Sequence, residues 1–121
     1  IASKEVRFET FWTDDAEILI VAYGTAARIA KGAIKRSREL GLPVGLIRPI
    51  TLWPFPAAVI QAFAARVDNF LVFEMNTGQM LEDVQLALGN TARIQFYGRP
   101  GGVIPTPAEL AKVIAYQFRK K

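Results

Sequence analysis

Asp14-Asp15-Ala16-Glu17-Ile18-Leu19-Ile20-Val21-Ala22-Tyr23-Gly24-Thr25 is the stretch on which the fold turns. Acidic residues lead into an unbroken apolar run, Ile18 to Tyr23, which Gly24 stops. A short run without alternation reads as a strand buried on both faces, as in parallel sheets covered by helices on each side. It falls far short of the ~18 apolar residues that suggest a membrane span. Thr25 is the expected N-cap of a helix reaching about Leu40, with Gly41 as its C-terminal stop and Pro43 just beyond.

The same alternation continues along the chain. Val44 to Arg48 reads as a second strand. Pro49, Pro54 and Pro56 interrupt the next segment, and Pro56 suits the first turn of a helix that carries Val59, Ile60, Phe63 and Ala64 on one face. Asp68-Asn69 precedes a third strand, Phe70 to Glu74, and a helix from about Thr77 to Leu88 ends at Gly89-Asn90. Arg93 to Tyr97 alternates polar and apolar residues, which marks an edge strand. Thr106-Pro107-Ala108-Glu109 is a capping box opening a last helix to about Phe118, and Arg119-Lys120-Lys121 sits near that helix's negative end. Residues 1–14 show no sustained period and read as an N-terminal linker, leaving residues 15–121 as the domain. Strands alternating with helices predict a three-layer α/β/α sandwich around a mostly parallel sheet of four or five strands.

The 121-residue length suits one domain, and 51% hydrophobic residues supply a core. The chain has neither Cys nor His, which excludes disulfides, thiolate-held clusters, a cysteine nucleophile and a histidine base from within it. Cytoplasm is the expected compartment. Ile1-Ala2-Ser3-Lys4 shows no signal-peptide pattern and no initiating Met, so an excised domain is expected. The net charge of +4 fits a modest surplus spread over a globular surface.

Open α/β sheets bind ligands past the carboxyl ends of their strands, where the strand order reverses. With the read strands in the order 2-1-3-4, that crevice falls between Gly24-Thr25 and Glu74-Asn76. Neither G-x-G-x-x-G nor a P-loop is present. The helix start at Thr25 is either an anion site or an ordinary strand-to-helix turn. In Glu74-Met75-Asn76-Thr77-Gly78-Gln79, the polar groups suit a ligand or a partner's backbone, while Asn76 with Gln79 three residues on reads as a capping box. Arg99-Pro100-Gly101-Gly102 is either an anion-binding nest or a turn before Thr106. Trp53 and Phe55, set between prolines, suit a subunit contact, a ligand contact or the domain's own core. Arg28, Lys31, Lys35 and Arg38 share a helix face. Without interleaved aromatics this face reads as a solvated surface rather than a nucleic-acid contact.

Three stretches taken together resemble the C-terminal part of the alpha subunit of 2-oxoacid:ferredoxin oxidoreductases. They are Ile47-Arg48-Pro49-Ile50-Thr51-Leu52-Trp53-Pro54-Phe55-Pro56, Val72-Phe73-Glu74-Met75-Asn76-Thr77-Gly78-Gln79-Met80 and Phe96-Tyr97-Gly98-Arg99-Pro100-Gly101-Gly102. Arg7-Phe8-Glu9-Thr10 and Asp14-Asp15-Ala16-Glu17 resemble the approach to that domain. The wording is nearest the 2-oxoglutarate class, with the pyruvate and branched-chain classes open. The resemblance implies a transketolase C-terminal-like domain that packs subunits and carries no catalytic residue. It implies a whole enzyme that converts a 2-oxoacid to acyl-CoA and reduces ferredoxin, using thiamine diphosphate, Mg²⁺, iron–sulfur clusters and CoA held elsewhere. The expected partners are the enzyme's other domains and subunits, with ferredoxin through the whole enzyme. A small-ligand or nucleotide-binding module using the strand-end crevice is the alternative.

Overall fold

The computed structural model describes residues 7–50, 57–75, 79–98 and 105–117. In chain order the elements are β1 (Phe8–Phe11), β2 (Ile18–Val21), α1 (Thr25–Glu39), β3 (Val44–Pro49), α2 (Ala57–Ala64), β4 (Asn69–Glu74), α3 (Gln79–Leu88), β5 (Arg93–Gly98) and α4 (Pro107–Gln117). The sheet order is β1-β3-β2-β4-β5, parallel throughout except for β1, which pairs antiparallel with β3.

β2 lies between β3 and β4, and all four of its residues are buried. Its continuous apolar run comes from having helices on both faces. Period-two alternation divides the strand residues between two cores. Ile18, Ile20, Val44, Leu46, Leu71 and Phe73 pack with α1 and α4. Leu19, Val21, Ile47, Phe70 and Val72 pack with α2 and α3 through Ile60, Met80, Val84 and Leu88. The result is the expected three-layer sandwich with a mostly parallel, five-stranded sheet. Burial of each such side chain contributes about 1.5–3 kcal/mol. β5 is an edge strand, half-buried along most of its length, as its polar alternation predicts.

The two helical layers are built from different material. α1 buries Ala26, Ala27, Ala30 and Ala33. These small residues let it approach the sheet and α4 closely. A Cβ on Gly32 would lie 2.9 Å from Cβ of Pro107, so only glycine fits that crossing without a shift. α1 closes on a Schellman motif: Leu42 N–H donates to Ser37 O at 2.9 Å and Gly41 N–H to Arg38 O at 3.0 Å, with Gly41 at φ 90°. The expected stop at Gly41 is therefore where the helix ends.

The structure revises two expectations within the described residues. Residues 8–11, inside the stretch read as a linker, form the edge strand β1. Glu9 lies opposite Arg48 and pairs with it at 2.7 Å. Thr25 does not cap α1; Gly24 is the N-cap, at φ 61° and ψ −138°, and no side chain bonds there. A left-handed N-cap favours glycine, which places the helix start one residue earlier than a side-chain cap would.

Candidate functional site

The chain runs from β2 through α1 to β3 on one side, then crosses to β4 on the other side of β2. Strand order thus reverses between β2 and β4, and the crevice at their carboxyl ends is flanked by Gly24-Thr25 and Glu74 as the expected order requires. Thr25 is exposed at the first position of α1. Glu74 ends β4 and is 0% exposed.

Glu74 is bound internally. Met80 N–H donates to its Oε1 at 3.2 Å and Leu81 N–H to its Oε2 at 3.0 Å. These amides occupy the second and third positions of α3, the donors that an N-cap side chain ordinarily satisfies. The carboxyl also lies at the positive end of the helix dipole. The last residue of β4 therefore caps the next helix and ties strand to helix through a buried contact. Both oxygens of the strand-end carboxyl accept from the protein's own backbone.

Gln79 begins α3. Its side chain, together with Trp53, Phe55, Asn76, Arg99, Gly101 and Gly102, lies outside the described residues. The expected Asn76 cap falls there too, and among the described residues Glu74 fills the capping role for α3. The capping box at α4 forms as read: Glu109 N–H donates to Thr106 Oγ1 at 3.1 Å and Thr106 N–H to Glu109 Oε1 at 3.0 Å.

The basic face of α1 is divided. Arg28 and Lys35 are exposed. Lys31 places its Nζ 4.0 Å from the ring centroid of Phe11 in β1. Arg38 donates from Nη2 and Nη1 to the Asp15 carboxylate at 2.8 and 3.2 Å, from Nη2 to Trp12 O at 2.9 Å and from Nε to Val44 O at 2.9 Å. The Arg38 side chain holds the Asp15 carboxyl below its ordinary value, chiefly through this hydrogen bond. Arg66 donates to Thr13 O at 2.8 Å from the opposite layer. The turn after β1 is thus pinned from both helical layers. A Cβ on Gly45 would meet Trp12 O at 2.7 Å, so this turn rests directly on β3. Sequence reading missed this brace; the β-forming residues Phe8, Thr10 and Phe11 were its one local signal.

Two surface hollows lie on the helical layers. One of about 370 Å³ is lined by Gln61, Ala64, Ala65, Ala87 and Thr91, and one of about 230 Å³ lies between α1 and α4. Among the described residues no three His, Cys, Asp or Glu side chains gather as a metal site, and no helix is long and apolar enough to cross a membrane. An iron–sulfur cluster requires cysteine thiolates, and the chain has none, so its residues do not fit that group.

A mostly parallel sheet between two pairs of helices, with a buried carboxyl at the end of β4 bound to the start of α3, defines the class as an α/β/α domain. The chain belongs to the pyruvate:ferredoxin oxidoreductase core domain II family, whose profile matches residues 16–110. It is 44% identical over 102 residues to ketoisovalerate oxidoreductase subunit VorB of Methanothermobacter thermautotrophicus, covering 84% of this chain and 29% of that protein. It is 37% identical over 111 residues to 2-oxoglutarate synthase subunit KorA of Methanothermobacter marburgensis, covering 92% of this chain and 30% of that protein. The fold matches a 2-oxoglutarate:ferredoxin oxidoreductase from Magnetococcus marinus, solved with 2-oxoglutarate, coenzyme A and succinyl-CoA bound. That match has a TM-score of 0.77 and 25% identity, covering 95% of this chain and 20% of that one. The chain thus spans under a third of the length of these relatives. The resemblance read from the three sequence stretches is borne out.

Proposed function

We propose that this chain is a non-catalytic, subunit-packing domain of a thiamine-diphosphate-dependent 2-oxoacid:ferredoxin oxidoreductase. The whole enzyme would decarboxylate a 2-oxoacid oxidatively, form an acyl-CoA and reduce ferredoxin in the cytoplasm. The carrying observation is the internal engagement of Glu74. The one buried carboxyl among the described residues is spent on the α3 backbone, which leaves the strand-end crevice a structural element. The absence of Cys and His supports the same reading, since electron-carrying clusters and imidazole chemistry must then come from other domains or subunits. Thiamine diphosphate, Mg²⁺, the clusters and the CoA site belong to those other parts, and no step is assigned to this chain's residues. The relatives' names support an assembly of several subunits as the partner set. The alternative, a small-ligand module in the crevice, lacks support: a carboxyl there would repel the phosphate or carboxylate that a helix N-terminus attracts.

The test is viologen reduction with 2-oxoacid, CoA and thiamine diphosphate, using the isolated chain and the complete enzyme with and without residues 16–117. The isolated chain should show no turnover, and the deletion should abolish subunit assembly. Turnover by the isolated chain overturns the reading, as does normal assembly of the deleted enzyme.

A further inference from the structure

Charge is segregated between the helical layers. α1 and α4 carry Arg28, Lys31, Lys35, Arg36, Arg38 and Lys112 against Glu39 and Glu109. α2 and α3 carry Glu82 and Asp83 and no cation. On the basic layer, the hollow of about 230 Å³ is lined by Arg36 and Leu40 from the end of α1 and by Ala108, Ala111, Lys112 and Ala115 from α4. Its floor is apolar and shallow because alanines line the α4 side. Leu40 stands 73% exposed at its margin. Arg36 and Lys112 flank it without an ion-pair partner among the described residues, unlike Arg38, which Asp15 engages.

From this arrangement we infer that the α1/α4 groove docks an acidic polypeptide segment of a partner subunit, with an aliphatic side chain seated on the alanines and its flanking carboxylates on Arg36 and Lys112. The inference rests on the packing role proposed above and names the surface that performs it. The volume argues against a small molecule, since such pockets usually hold about 300–1,000 Å³. It suits one or two side chains. No aromatic residue lines the groove to stack a base, which separates it from single-strand nucleic-acid grooves. Rim charges of one sign suit a partner of the other sign and act mainly on association rate and its salt dependence.

The experiment uses the complete enzyme. The doubly reversed variant Arg36→Glu with Lys112→Glu alters two exposed side chains, and Ala115→Trp fills the groove without changing charge. Affinity of the variant subunit for its partner subunits is measured by titration at two salt concentrations, beside circular dichroism of each variant. Both variants should keep the wild-type spectrum and weaken association at least about tenfold, and charge reversal should flatten the salt dependence. Association within about twofold of wild type for a folded variant overturns the inference. If deletion of residues 16–117 also leaves association intact, the packing reading fails with it; if the deletion abolishes association while the variants do not, only the groove fails. Binding of a single-stranded DNA 20-mer that charge reversal removes would also overturn it, in favour of nucleic acid.

Discussion

α3 and α4 begin in opposite ways. The first-turn amides of α4 are satisfied by Thr106, with Glu109 reaching back, all within one exposed turn of chain. Those of α3 are satisfied by Glu74, six and seven residues upstream, at the end of a central strand and fully buried. Both helices meet the same requirement, since the first amides of any helix lack partners inside it. The α4 cap fixes only the start of its own helix. The α3 cap fixes the helix relative to the sheet, and so sets the crevice where the strand order reverses. α1 starts without a side-chain cap: Gly24 is its N-cap, and Ala27 N–H donates to Gly24 O at 3.1 Å.

The sharpest way to break this contrast is Glu74→Ala. It leaves one buried and one partly buried amide without acceptors and opens space beside them. Hydrogen bonds involving a charged group contribute about 1.5–3 kcal/mol, so the loss should be about 3 kcal/mol in urea denaturation with little change in slope. Glu74→Gln, which keeps one oxygen, should lose roughly half as much. A loss below about 1 kcal/mol for the alanine variant would mean that β4 does not hold α3.

Thr106→Ala should cost less, about 1 kcal/mol, the usual value of an exposed N-cap. Thr106→Ser keeps the acceptor and should stay near wild type. If the alanine variant at Thr106 cost as much as the one at Glu74, burial would not be what separates the two devices.

The difference also explains what could be read in advance. A capping box is written within four consecutive residues, and Thr106-Pro107-Ala108-Glu109 was legible for that reason. The core strands were legible because Ile18 to Val21 and Phe70 to Phe73 need apolar side chains on both faces. Glu74 as the α3 cap was hidden, because the bond depends on how the chain folds back after β4. The local pattern pointed to Asn76, which lies outside the described residues. β1 was hidden too. Four residues of edge strand carry little periodicity, and the features that hold them, Lys31 over Phe11 and Arg48 beside Glu9, come from distant parts of the chain. The order of the parallel strands could be anticipated because short right-handed crossovers leave few alternatives.

Asp15 and Arg38 sharpen the comparison from the other side. They are 23 residues apart, so this tether is longer in sequence than that of Glu74, yet Asp15 is 68% exposed. If burial rather than sequence distance sets the strength of a tether, this one should be visible mainly as a titration effect. The guanidinium holds the carboxyl below its ordinary value. A group depressed in the folded state stabilises above its unfolded pKa, and that contribution is lost as pH falls through the folded pKa. The effect therefore belongs to the acid range, below the ordinary aspartate midpoint, and is absent at neutral pH as a slope. Carboxyl NMR should show Asp15 titrating below the ordinary aspartate range. Arg38→Met should return the Asp15 midpoint to the ordinary range. Salt at 1 M should shrink the shift, since screening then acts over about 3 Å. Asp15→Asn should lower the melting temperature far less than Glu74→Ala, because solvent screens the exposed pair. An Asp15 midpoint unchanged by Arg38→Met would show that the pair does not hold in solution, leaving the hydrogen bonds from Arg38 to the carbonyls of Trp12 and Val44 as the brace on the β1 turn.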